Sequence, residues 1–126
     1  MSKITSYKDL LIWQKGIKLV VLVYKLTEKF PKEEIYSLSS QVKRASISIP
    51  SNIAEGFGRR TDKSFGHFLN ISRGSLNELE TQLIIAKELD FIRDEKLYDE
   101  ILLLLEEEAK MLNAFSKSLN EQTVTS

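Results

Sequence analysis

The sequence has 126 residues with no cysteine, one histidine, two prolines and five glycines. The lack of cysteine excludes disulfide bridges, cysteine zinc sites and thiol nucleophiles. The single histidine, His67, has no acidic residue three positions before it, which excludes the paired Glu-x-x-His elements of di-metal helical bundles. Serine-histidine-aspartate catalysis would need the same His67, and no Gly-x-Ser-x-Gly turn is present. We therefore expect no enzymatic activity, no metal and no cofactor, and we expect His67 to be a packing or surface residue.

Long apolar stretches are also missing. The longest apolar run, Leu19 to Tyr24, is far shorter than the roughly 18 residues that a membrane-spanning helix needs. The N-terminal residues do not resemble a secretory signal, because lysine and glutamine interrupt the apolar positions and no small-residue cleavage site follows. We expect a cytoplasmic protein without a membrane partner.

The scarcity of glycine and proline, together with many leucine, lysine and glutamate residues, favours helices. Apolar residues recur at steps of three and four in four segments, and Ser6, Thr61 or Asp62, and Asp94 are candidate N-caps. The predicted helices are 7–29, 34–57 with a kink near Pro50, 62–89 and 95–119, followed by a flexible polar tail, 120–126. The sequence thus predicts one all-α domain, 1–126, folded as an up-down-up-down antiparallel four-helix bundle. In the first helix we expect the buried stripe to consist of Leu10, Trp13, Ile17, Val20 or Val21, and Tyr24. The expected stripe of the second helix is Leu38, Val42, Ala45, Ile49 and Ile53, and that of the third is Phe65, Phe68 or Leu69, Ser72, Leu76, Leu79, Leu83 and Ala86.

Two runs, Leu19–Val23 and Ile101–Leu105, are apolar at five successive positions and so place apolar side chains all around their helices. A monomeric bundle needs one buried stripe per helix. The extra apolar faces favour a homo-oligomer. The alternative is a thickly packed core with scattered exposed leucines.

The net charge of zero conceals an uneven distribution. Residues 1–77 contain 13 basic and 6 acidic residues, a balance of +7, whereas residues 78–126 contain 5 and 12, a balance of −7. The basic residues are candidates for a surface that binds nucleic-acid phosphates; the alternative is that they pair with the acidic late segments. The candidate residues are Lys43, Arg44, Arg59, Arg60, Lys63 and Arg73.

Several other residues invite specific expectations. Gly74 lies inside a helix and predicts a close approach of two helices. Glu55 is expected to accept hydrogen bonds from a neighbouring helix or subunit. The amides of Gln41 and Asn52 are expected to bond backbone groups that Pro50 frees. Trp13 is expected to pack in the core rather than to stack on a base.

The most specific stretches are Asp9-Leu-Leu-Ile-Trp-Gln-Lys15, Gln41-Val-Lys-Arg-Ala45, Ser48-Ile-Pro-Ser-Asn-Ile-Ala-Glu-Gly56, Phe68-Leu-Asn-Ile-Ser-Arg-Gly-Ser75 and Glu78-Leu-Glu-Thr-Gln-Leu83. Together they resemble the bacterial 23S ribosomal RNA intervening-sequence proteins over about residues 7–116. The resemblance implies a four-helix bundle that assembles into a homopentameric ring. It assigns no catalytic role to the matching motif positions, which are Gln41, Arg44, Pro50, Asn52, Glu55, Gly56, Gly74, Ser75, Glu78 and Gln82.

Some members of that family are encoded inside insertions in large-subunit ribosomal RNA genes. A similar fold serves as the accessory protein of diversity-generating retroelements, where a basic pentamer works with a reverse transcriptase; this chain differs in being neutral overall. Our first hypothesis is a non-enzymatic homo-oligomer that binds RNA, DNA or a nucleoprotein through the basic residues. The alternative is a protein-interaction scaffold or a reverse-transcriptase accessory protein that does not bind nucleic acid directly.

Overall fold

The computed structural model describes the backbone of residues 4–125 and the side chains of residues 4–119. Within those residues there is no β-strand, and the chain forms four α-helices: α1 (Leu11–Thr27), α2 (Leu38–Gly58), α3 (Asp62–Glu88) and α4 (Glu95–Thr125). Each helix packs against its neighbours in the chain, and α1 packs against α4 to close the bundle. The prediction of an all-α four-helix bundle is confirmed.

The first two helices begin later than the sequence predicts. Ser6 caps a short 3-10 turn, Tyr7–Asp9, by accepting a hydrogen bond from the backbone N–H of Lys8 at 3.1 Å. Leu10 is then extended and buried, so α1 begins at Leu11. A second 3-10 turn, Lys32–Glu34, follows Pro31, and α2 begins at Leu38 instead of residue 34.

The caps predicted for the last two helices are confirmed. The Thr61 hydroxyl accepts a hydrogen bond from the N–H of Ser64 at 3.2 Å, and the Asp94 carboxylate accepts one from the N–H of Leu97 at 3.0 Å. The backbone of α4 is helical as far as Thr125, beyond residue 119, since no glycine or proline interrupts it. The side chains of residues 120–126 lie outside the described residues, and the flexibility predicted for that tail stays a prediction.

The core confirms the predicted stripes of α2 and α3 but corrects that of α1. In α1 the buried side chains include Ile12, Leu19, Leu22, Val23 and Leu26. The predicted stripe is rotated away from the core: Trp13 and Val20 are half-buried, and Ile17, Val21 and Tyr24 are exposed. The error arises because Leu19–Val23 is apolar on every side of the helix and does not define which face is buried.

Pro50 and the glycines Gly56 and Gly74 test the predictions about helix continuity and helix packing. Pro50 lies inside α2, which continues through it without interruption. A Cβ added to Gly56 would lie 2.6 Å from the Cβ of Phe68, so the close approach of two helices occurs at Gly56. The same prediction for Gly74 is wrong, because a Cβ there would meet nothing within 4 Å.

No helix in the described part of the chain combines the length and apolarity needed to cross a membrane.

Candidate functional site

A polar groove runs along the surface between α2 and α3. It has a volume of about 340 Å³ and is lined by Gln41, Arg44, Ala45, Ser48, Ser75 and Glu78. The Ser75 and Ser48 hydroxyls are hydrogen-bonded to each other at 2.7 Å. Because the two helices are antiparallel, that contact sets a register in which Ala45 lies opposite Glu78 and Gln41 lies opposite Gln82. Residues that are far apart in the chain therefore line one groove, which we call the polar groove.

The side chains of the polar groove are held by short-range hydrogen bonds. Asn52 donates to the carbonyl and to the hydroxyl of Ser48, at 2.8 and 2.9 Å. Gln82, which is only 6% exposed, donates from Nε2 to Oε1 of Glu78 at 3.1 Å, while its own Oε1 has no partner among residues 4–119. Arg44 takes part in no ion pair among the described residues, although Glu78 lines the same groove.

The motif positions divide between this groove and other places. Gln41, Arg44, Ser75 and Glu78 line the groove, and Asn52 and Gln82 bond to groove residues. Asn52 donates to the Ser48 carbonyl, whereas the carbonyl that Pro50 leaves free is that of Ser46, so the expected bond to freed backbone is wrong for Asn52. No hydrogen bond of the Gln41 side chain occurs among the described residues. Glu55 is exposed and pairs at 3.3 Å with Arg59, the residue that follows the end of the same helix, so the expected contact to a neighbouring helix is absent from the described part of this chain.

Three of the six basic candidates lie around the turn between α2 and α3. We call Arg59, Arg60 and Lys63 the basic turn. Arg60 adopts a left-handed backbone conformation with φ of 68°, and the guanidinium of Arg59 lies 5.1 Å from the centre of the Phe68 ring. Lys63 is exposed in the first turn of α3.

The other three basic candidates lie elsewhere. Lys43 faces α1, with its Nζ 5.0 Å from the centre of the Tyr24 ring. Arg44 lines the polar groove on the opposite side of α2, and fifteen residues separate it from Arg59, about 22 Å along a helix. Arg73 is exposed on α3 and donates to Asn70 at 3.2 Å. The structure therefore brings together Arg59, Arg60 and Lys63 but does not gather all six.

A second groove, between α1 and α2, is mostly apolar. It has a volume of about 320 Å³ and is lined by Tyr7, Trp13, Ile17, Val20, Ile47, Pro50, Ser51 and Ala54. Beside it, Val21 is 49% exposed. In the run Ile101–Leu105, by contrast, only Leu103 is exposed, at 65%, and the core contains Ile101, Leu104 and Leu105. Exposed large apolar side chains occur on α1, at Leu11, Ile17, Val21 and Tyr24, and on α2, at Ile47, but also on α3, at Ile71, Ile84 and Ile85. We call the groove between α1 and α2 the apolar groove.

Glu108 was not singled out from the sequence, because it lies in the acidic late segment, directly after Glu106 and Glu107. Glu108 is 0% exposed, and neither carboxylate oxygen has a hydrogen-bond partner within the described part of the chain. Burial raises its pKa from 4.5 to about 8, and the charge of Lys15 opposes the rise only in part. Lys15 forms its ion pair with the adjacent Glu107 instead, at 2.9 Å. A usable signal was present, because Glu108 lies three and four residues from the buried Leu105 and Leu112.

Metal chemistry and His67 contribute little to this picture. Among the described residues, no group of three or more His, Asp or Glu side chains is placed to hold a metal ion. His67 is exposed, and its ring lies 5.4 Å from that of Phe68, consistent with a surface or packing residue. The polar groove offers a ligand hydrogen-bonding side chains, including the guanidinium of Arg44, and the basic turn offers positive charge.

Fold and comparison together define the class as an antiparallel four-helix-bundle protein. A crystal structure from Bacteroides thetaiotaomicron, of a protein of unknown function in the S23 ribosomal protein family, superposes with a TM-score of 0.74 at 25% identity. The match covers 85% of this chain and 99% of that one. The family model described as 23S rRNA-intervening sequence protein matches residues 8–114. The chain belongs to this family, which confirms the resemblance; no curated protein matches it.

Proposed function

We propose that the chain is a non-enzymatic, homo-oligomeric helical-bundle protein that binds nucleic acid through the basic turn. The observation that carries the proposal is the grouping of Arg59, Arg60 and Lys63 at one end of the bundle, beside the N-terminus of α3. Backbone N–H groups at a helix N-terminus and nearby cations both attract phosphate. The family description, which refers to 23S rRNA, makes RNA the first ligand to test.

The test is fluorescence anisotropy of a labelled single-stranded RNA at 25, 75 and 200 mM KCl. We expect binding that weakens as salt rises, and a double substitution, Arg59→Ala with Arg60→Ala, that lowers affinity and flattens the salt dependence. The matched control is Lys96→Ala with Lys117→Ala, which removes two exposed cations from α4. Absence of RNA and DNA binding at 25 mM KCl would refute the proposal.

The homo-oligomeric part is supported by the apolar groove. Ile17, Val21, Tyr24 and Ile47 are exposed large apolar side chains on two adjacent helices, and contiguous exposed apolar area is uncommon on monomers. We propose that a second copy of the chain covers this face, and the family resemblance suggests a ring of five.

Light scattering tests the assembly. The wild type is expected to have a mass well above the 14.5 kDa of one chain. Ile17→Glu combined with Val21→Glu is expected to lower that mass, because each substitution places a charge on the apolar face. Leu103→Glu, on α4, is the control and should leave the mass unchanged. A wild-type monomer would contradict the proposal.

A second candidate function is a protein-interaction scaffold, including an accessory role to a reverse transcriptase without direct nucleic-acid contact. The observation that favours it is Tyr36, which is 97% exposed beside the exposed Ile35 in the connection between α1 and α2. Affinity capture with the wild type and with Tyr36→Ser tests it. A specific partner lost with the substitution would support the scaffold, and capture of the chain alone at several salt concentrations would count against it.

A further inference from the structure

The two serines of the polar groove have one hydrogen-bond donor to spare. Ser48 and Ser75 together carry two hydroxyl hydrogens, and one of these lies in the bond between them. The Ser48 oxygen also accepts a hydrogen bond from the Asn52 amide, and this bond does not use the Ser48 hydroxyl hydrogen. No acceptor for the second hydroxyl hydrogen exists among the described residues. A ligand in the groove would therefore meet a hydroxyl donor at its floor.

The charged residues of the groove offer the complementary groups. The guanidinium of Arg44 has several N–H donors and no ion-pair or hydrogen-bond partner among the described residues. Glu78 presents a carboxylate whose Oε1 accepts from the buried amide of Gln82, and its Oε2 has no partner in the part of the chain that the structure describes. The groove thus places a planar fork of donors near a two-oxygen acceptor, with a hydroxyl donor between the helices.

We infer that the polar groove binds an unpaired guanine base, so that the nucleic-acid ligand is recognised at single-stranded guanines. This inference rests on the proposed function. Guanine has two acceptors, O6 and N7, on one edge, and arginine pairs with them as a bidentate donor. Its adjacent edge carries two donors, N1–H and the 2-amino group, which match the carboxylate of Glu78. Adenine, cytosine and uracil do not present a pair of acceptors beside a pair of donors.

The size and exposure of the groove are compatible with a base presented by a flexible strand. The volume of about 340 Å³ exceeds that of one base, and Arg44 and Glu78 are exposed, so the ligand can enter without a rearrangement of the helices. Sequence-specific RNA recognition usually targets bases that are not paired, because their hydrogen-bonding edges are then free. The basic turn holds the phosphates, and the polar groove supplies the base preference.

The experiment uses ten-nucleotide uridine RNAs with one central guanine, inosine, 7-deazaguanine or adenine, and the full chain. Inosine lacks the 2-amino group that Glu78 would accept, and 7-deazaguanine lacks the N7 that Arg44 would contact. We expect the guanine RNA to bind about fivefold more tightly than either analogue, since one lost hydrogen bond of this kind costs about 1 kcal/mol. Glu78→Gln should bind the guanine and inosine RNAs with equal affinity. Arg44→Ala should bind the guanine and 7-deazaguanine RNAs with equal affinity.

The control variant is Glu80→Gln, which makes the same chemical change at an exposed position of α3 outside the groove and should keep both ratios. Equal affinity for all four RNAs would overturn the guanine site and leave the proposed function intact. If no RNA binds, the proposed function fails. Saturation-transfer NMR with phosphate-free guanosine and inosine then tests the guanine site separately, and equal signals from the two nucleosides would overturn it. If Glu78→Gln changes the oligomeric mass and not the ratio, the groove is a contact between copies and the inference is wrong.

Discussion

Replacing the buried Glu108 with glutamine should change how the stability of the bundle depends on pH. In the folded chain, burial raises the pKa of Glu108 to about 8 from 4.5. The protein therefore keeps this carboxyl protonated at neutral pH, whereas the unfolded chain ionises it above about pH 4.5. Because the folded pKa is the higher one, the stabilisation is fully present below pH 4.5 and is lost as the pH rises to about 8.

The size of the effect follows from the separation of the two pKa values. One unit corresponds to about 1.4 kcal/mol, so the wild type should lose about 5 kcal/mol through this group between pH 4.5 and 8. Glutamine does not titrate. The free energy of unfolding of Glu108→Gln minus that of the wild type should therefore rise by about 1.4 kcal/mol per pH unit over this interval and level off above it.

Urea unfolding followed by circular dichroism at pH 5, 6, 7 and 8.5 measures this difference. Glu107→Gln is the matched control at the previous position: Glu107 is exposed, and its hydrogen bond with Lys15 lowers its pKa below 4.5. Its carboxylate is then ionised in the folded and the unfolded chain throughout pH 5 to 8.5, so the stability difference between Glu107→Gln and the wild type should stay constant over this range. Parallel stability curves for the wild type and Glu108→Gln from pH 5 to 8.5 would refute the reasoning. So would a carboxyl carbon NMR signal of Glu108 that titrates near pH 4.5.

Four further substitutions test the packing and the turn by chemical denaturation. Gly56→Ala should cost about 1–3 kcal/mol because the new Cβ would lie 2.6 Å from Phe68, whereas Gly74→Ala should stabilise the helix by up to about 1 kcal/mol; equal effects would contradict the assignment of the close approach. Arg60→Gly should raise stability by about 0.5–1 kcal/mol by relieving the left-handed backbone, yet weaken RNA binding; unchanged stability would contradict it. Ser72→Ala should cost about 1 kcal/mol, because its hydroxyl donates to a carbonyl of α2 at 2.8 Å in a buried setting; a neutral result would mean that the bond is not needed.

The success of the sequence prediction varied with how sharply each helix separates apolar from polar residues. In α2, Leu38, Val42, Ala45, Ile49 and Ile53 form a clear stripe, and all are buried. In α1 the apolar run leaves the phase undetermined, and only packing against the other helices selects the buried face. The number and order of the helices could be predicted without knowing which face of each helix is buried, because glycine, proline and N-cap residues mark where the segments begin and end.

The polar groove lay beyond sequence reasoning for a different reason. Its residues come from two helices, and pairing them requires the register that the Ser48–Ser75 contact sets. Gln41, Arg44, Ser75 and Glu78 were visible as motif positions, and Arg44 also as a candidate phosphate contact, but nothing in the sequence placed them on one surface. Glu108 was hidden in a run of three glutamates, two of which are exposed, since charge runs usually face solvent.

One meeting point of three helices constrains how this sequence can vary. A Cβ on Gly16 of α1 would lie 3.2 Å from the Cβ of Pro50 in α2 and 3.3 Å from Oε2 of Glu108 in α4. The carboxyl thus occupies space that exists because position 16 has no side chain. Substitutions at these positions should be epistatic: Gly16→Ala should be tolerated better once Glu108 is shortened. Among relatives, the identities at positions 16 and 108 are then expected to change together.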